Sequence, residues 1–187
     1  YGGDLYVGTM SILSSVMQLI VIPMQGVSQG VQPIISYNYG AKNGKRVKEA
    51  FFKMLAICFL GTFLLAGIAV IAPEIYAGIF TSNQALVDLT CEVMPVYFLG
   101  IMIFGIQNAC QSTFLALGQA KVSLFIALLR KVILLIPLAI ILPKFMGVMG
   151  IYRAEPIADV ISVLITILLF TVTFKKILHN KENRDMI

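Results

Sequence analysis

Five separate stretches of this chain are apolar enough, for long enough, to cross a lipid bilayer. A hydrocarbon core of about 30 Å takes about 20 helical residues at about 1.5 Å each. Residues 5–37, 51–72, 93–117, 122–142 and 151–174 all meet that length. Each stretch is fenced by helix-ending or polar residues: Asn38 to Asn43 with Gly40 and Gly44, Pro73 with Glu74, Gly118 to Lys121, and Pro143 to Gly150. No alternation of period two argues for a strand. Of the residues 59% are apolar and 12% charged, where a soluble domain carries about 25% charged. The chain is therefore predicted to be an all-α polytopic membrane protein, a bundle of five transmembrane helices. The same composition excludes disorder.

The formal charge of +5 does not require nucleic acid, because the basic residues follow a topology pattern. Cytoplasmic loops retain Lys and Arg. Lys42, Lys45, Arg46, Lys48 and Lys53 follow the first span, Lys121 the third, and Lys175, Lys176, Lys181 and Arg184 the fifth. The alternate loops hold only Lys144 and Arg153. The start of the chain is thus expected outside and its polar tail, residues 179–187, in the cytoplasm of a multi-pass inner (plasma) membrane protein. Five spans with an external start, and a chain beginning at Tyr1, lead to the expectation that at least one upstream helix is missing.

Polar residues inside the spans are the next constraint. In the first span, which contains Pro23 and Pro33 and must tilt, bend or project, Ser11, Ser14, Gln18, Gln25, Gln29, Gln32 and Ser36 fall within about 40° of one direction at about 100° per residue. Gly8, Gly26 and Gly30 form an adjacent strip where another helix could pack closely. Amides in hydrocarbon need partners. The stripe either lines a wet cavity through which a solute passes, or supplies hydrogen bonds between helices of a closed bundle. The third span repeats the pattern with Gln107 and Gln111, plus Asn108, Ser112 and Thr113. A cavity wall and an interfacial helix end are both open there. Gly100 and Gly105 would let it pack closely or flex.

In the fifth span Glu155 and Asp159 are spaced i, i+4, with Ser162, Thr166 and Thr173 on nearly the same face. Asp159 is a candidate for binding a proton or cation or for facing a cationic solute. It could equally form a structural ion pair with Arg153 or with Arg130 of the fourth span, where Lys131 also lies. Cys58, Cys91 and Cys110 read as small buried hydrophobes, and His179 as a solvated tail residue. No metal-ligand spacing and no enzyme constellation occurs: HExxH, GxSxG and a phosphate-cradling loop are all missing. The chain is not expected to be an enzyme or to hold a cofactor.

The stretch from Gln25 to Lys42 carries Gln32-Pro33 followed by Tyr37-Asn38-Tyr39-Gly40-Ala41 and then basic residues. This resembles the MATE family of multidrug and toxic compound extrusion transporters at the eighth of its twelve helices. Leu117-Gly118-Gln119-Ala120-Lys121, Ile136-Pro137-Leu138, Gly150-Ile151-Tyr152 and Glu155-Pro156-Ile157-Ala158-Asp159 extend the resemblance in family order. It implies that residues 1–178 are the C-terminal lobe without its first helix, most like the bacterial MepA-type branch. It also implies export of amphipathic or cationic compounds in exchange for Na⁺ or H⁺, by alternating access of two lobes. The partners implied are small-molecule drugs or toxic organic cations, the bilayer, and the missing N-terminal lobe.

The resemblance also exposes a departure. One bacterial branch places C-lobe cation ligands on the seventh helix and midway along the tenth. The corresponding stretch here, Val96 to Phe104, has no acid, so the coupling-ion site is expected to be incomplete in this chain. Gln18, Gln25, Gln29, Gln32, Ser36, Gln107 and Gln111 are the expected cavity residues, with Met102, Phe98 and Phe104 offering apolar contact. Two rivals remain: a lipid-linked saccharide flippase of the same superfamily, which would use Arg130 and Lys131 on a pyrophosphate, and a membrane subunit or enzyme without transport.

Overall fold

A computed structural model describes residues 3–183. Among them every regular element is helical: α1 (Asp4–Gly40), α2 (Gly44–Ile71), α3 (Pro73–Phe80), α4 (Gln84–Phe98), α5 (Ile101–Ala116), α6 (Ala120–Leu128), α7 (Ile136–Met146) and α8 (Met149–Asn183). A π-helical segment, Leu129–Leu135, joins α6 to α7. Four continuous helices reach membrane-spanning length and hydropathy, and the pair α4 and α5, bent by 46°, reaches them when taken together as one broken span. The expected fold class holds.

Local signals set most boundaries. Asn43 caps α2, its side-chain oxygen accepting from the Arg46 amide at 3.1 Å. Pro73 opens α3, where a missing N–H costs nothing. Gly118, at φ 74°, makes the left-handed turn between α5 and α6. Four features differ from expectation. The third span starts at Gln84, because Asn83 caps it upstream of the apolar core; α3 is an additional short helix; the fourth span holds the π segment; and α8 runs straight through residue 178 to Asn183. Residues 184–187 and the side chain of His179 lie outside the described residues.

Helices in lipid gain little from hydrophobic burial against each other, so close packing has to hold them. Glycine supplies it at two crossings. A Cβ on Gly105 would overlap the Cys58 carbonyl of α2, and one on Gly100 would lie 2.7 Å from the Asp159 Cβ of α8. The buried apolar residues divide into two clusters. One gathers Phe51, Met54, Phe114, Phe170 and Phe174 toward the basic end, with Phe51 and Phe170 stacked at 4.5 Å. The other gathers Leu13, Val16, Met94, Tyr97 and Phe98 at the opposite end. Outward, large apolar side chains such as Leu64, Ile79, Leu168 and Val172 lie bare, a surface that suits acyl chains and not water. The chain is a multi-pass membrane protein.

Candidate functional site

The stripe of α1 stands free on the surface of the bundle. Gln18, Gln25 and Gln29 are exposed and Gln32 is half-buried. None of these four amides hydrogen-bonds another described residue, unlike Ser36, whose hydroxyl donates to the Ala116 carbonyl of α5 at 2.9 Å. Ser11 turns back to the Val7 carbonyl. Among the described residues the interhelical-bond reading therefore holds at Ser36 and has no contact behind it at the four glutamines. Beside the stripe, a Cβ on Gly26 or Gly30 would meet nothing within 4 Å, whereas Gly8 is packed by Leu86. The close helix expected along that strip is present at Gly8 alone.

The third span contributes differently from what its spacing suggested. Gln107 is buried, 1% exposed, and its Oε1 finds no partner; it points into the bundle and does not line open space. Gln111 is half-buried and its Nε2 donates to the Ser123 carbonyl at 3.3 Å, tying α5 to α6. Met102 packs against the second apolar cluster, and its carbonyl accepts from Thr62 at 3.3 Å. Phe98 is fully buried and Phe104 nearly so. These side chains are lobe interior because the 46° bend turns α5 into the space between α2 and α8. Sequence reading missed what Asn108 does there: its Nδ2 donates to the Met24 carbonyl at 3.1 Å and to Ser28 Oγ at 2.8 Å, clamping α5 to α1 just after Pro23.

The family-motif residues close α1. Pro33 and Gly40 are exposed, Tyr37 is 78% exposed, Asn38 Nδ2 donates to the Ile34 carbonyl at 2.8 Å, and the Ala41 amide caps the helix on Tyr37.

The charged residues of the fourth and fifth spans meet inside the bundle. Arg130 binds Asp159 through Nε and Glu155 through Nη2 at 3.3 Å, and Lys131 reaches the same Glu155 oxygen at 3.2 Å. The guanidinium also lies 4.4 Å over the Phe104 ring, a contact worth most when desolvated. Asp159 is wholly buried, with one carboxylate oxygen unpartnered. Of the two expected partners it takes Arg130. Arg153 is exposed and lies against the Met146 sulfur. The π segment widens the turn that carries Arg130 and Lys131, so two consecutive cations serve one carboxylate. Glu155 and Asp159 are buried and Arg130 nearly so, while Lys131, half exposed, reaches in from the surface. Two positive charges thus balance two negative ones, the condition for burying the carboxylates at all.

Comparison with known proteins matches this arrangement to one family. The MatE family model matches residues 1–141. The multidrug export protein MepA of Staphylococcus aureus is 24% identical over 169 residues, covering 89% of this chain and 37% of MepA. The solved structure of the MATE multidrug transporter DinF-BH is 32% identical with a TM-score of 0.80, covering 91% of this chain and 38% of that one. A MATE structure in a bent conformation superposes with a TM-score of 0.89 at 14% identity, covering 97% of this chain and 40% of the other. The chain thus spans under half the length of the relatives it matches. Its helices, their order and the profile match agree: the chain belongs to the MatE family.

Proposed function

We propose that the chain forms most of the C-terminal lobe of a secondary antiporter. The whole protein would export amphipathic or cationic compounds by alternating access, with inward Na⁺ or H⁺ as driving ion. The observation that carries this reading is the bare glutamine stripe of α1. Four amides with no partner among the described residues are costly against acyl chains, and they are stable where water or a solute meets them. A second lobe packed across Gly26 and Gly30 would enclose that water. MepA and DinF-BH, by their names, are multidrug transporters, which supports drugs as the solute class. The coupling ion falls to residues of the other lobe, since the bend region Val96 to Phe104 carries no acid and the acids nearest it are held by Arg130 and Lys131. The same engagement argues against the flippase reading, which needs those two cations free for a pyrophosphate. The start of the chain is assigned to the outside and its end to the cytoplasm by the distribution of Lys and Arg.

The test is drug efflux from cells expressing the full-length protein with Gln29→Leu and Gln32→Leu together. Loss of two solute hydrogen bonds should lower efflux by about tenfold, at unchanged expression and melting temperature. Undiminished efflux would remove the stripe from the transport path, and saccharide-lipid flipping without efflux would replace the activity.

A further inference from the structure

We propose that the groove between the end of α1 and the start of α2 is a binding site for an anionic phospholipid. The groove encloses about 230 Å³. Its inner part is apolar, with Val31, Ile34 and Ile57 along its walls, and its outer part carries Asn38, Arg46, Lys53 and the acid Glu49. From Arg46 to Ile57 is eleven residues of continuous helix, a rise of about 16 Å. The groove therefore runs from the charged end of the lobe into hydrocarbon depth, matching a phosphate and glycerol above the first segment of an acyl chain.

Charge selects the ligand. The segment 42–53 has five basic residues and one acid, Glu49, and Glu49 is already taken by Lys53 at 2.7 Å. The Arg46 guanidinium makes no hydrogen bond or ion pair with any described residue, although its backbone amide is capped by Asn43. An exposed guanidinium whose neighbouring carboxylate, Glu49, is bonded to Lys53 keeps its donors open for two parallel hydrogen bonds with a phosphate. A second groove of about 220 Å³, between the starts of α1 and α8, has no charged residue on its walls. The two ends of the lobe thus differ in headgroup chemistry while offering similar space.

Position decides that the site opens to lipid. After Pro23, Gln25, Gln29, Gln32 and Ser36 centre on one direction, and Val31, Ile34 and Asn38 lie about 130° to 170° away from it at about 100° per residue. A helix that turns its amides toward a water-filled cavity turns this groove toward the bilayer. The assignment rests on that reading of the stripe, and on no transport event.

The experiment is native mass spectrometry of the full-length protein released from vesicles of phosphatidylglycerol and phosphatidylcholine in equal parts. The expected result is preferential retention of phosphatidylglycerol. Arg46→Gln should lower it about fivefold, the loss of one basic residue near the surface, and Lys53→Gln should lower it less, since Lys53 also serves Glu49. Lys121→Gln, a charge change on another loop, should leave it unaltered. Equal retention of the two lipids, equal loss in the Arg46 and Lys121 variants, or displacement of the lipid by millimolar inorganic phosphate would each overturn the proposal. Retention through Arg46 in a protein that exports nothing would leave it standing and sink the transport reading alone.

Discussion

Two sets of polar side chains lie at membrane depth in this lobe, and they are treated in opposite ways. Arg130, Lys131, Glu155 and Asp159 are drawn together, charge against charge, with the Arg130 guanidinium on the Phe104 ring. Gln18, Gln25 and Gln29 are left exposed and Gln32 half-buried, with no partner among the described residues. An ion cannot be left bare in oil, so the first set had to be neutralised within the lobe. A neutral amide is cheaper to leave open, and leaving it open has value only where water reaches it. The contrast separates polar residues that hold the lobe together from those that address what lies beyond it.

The largest expected effect comes from breaking the first set. Arg130→Leu strands the buried Asp159 carboxylate and leaves Glu155 to Lys131 alone, and should destabilise the full-length protein by about 3–5 kcal/mol, read as a fall in its thermal unfolding midpoint in detergent. Arg130→Leu with Asp159→Leu should recover part of that loss. A single variant as stable as the parent would show that water already reaches the cluster and would erase the contrast. Smaller, about 1–3 kcal/mol, is the cost of Gly100→Val, whose side chain collides with Asp159 and with the Pro156 backbone. The same melt measures it, and tolerance would mean α4 and α8 are not in contact. Smallest in stability, within about 0.5 kcal/mol, is Gln29→Cys. This variant sharpens the comparison by chemistry: a water-soluble maleimide should label the new thiol rapidly while Cys110, 2% exposed, stays unmodified. A thiol at 29 that reacts only with lipid-soluble reagents would place the stripe against acyl chains.

The spans and the helical class were legible because bilayer thickness writes itself into the length of apolar runs. The stripe was legible because the helical period is fixed. What escaped were events that depend on a third helix. The bend at Leu99 and Gly100 needs α8 to occupy the space a side chain at 100 would take, and no local signal states that Asp159 is the occupant. Gln107 and Gln111 share the spacing of the α1 amides, yet the bend carries them inward, where Gln111 meets the Ser123 carbonyl. The pairing of Arg130 over Arg153 followed from depth: Arg153 is close enough to its helix end to remain exposed, while Arg130 is too deep to escape. For Asn108 a cavity wall and an interfacial helix end stay equally open in the sequence, because nothing in its neighbours reveals that Pro23 on another helix is adjacent to the carbonyl it binds.

The 37 residues of α1 make a rod of about 55 Å, roughly twice what the hydrocarbon needs. Its far tip, with Tyr37 and Gly40, therefore stands clear of the oil. A rod clamped in mid-length by Asn108 acts as a lever with its fulcrum there, so about 10° of rotation of the lobe would sweep that tip, about 20 Å further along, sideways by about 3–4 Å.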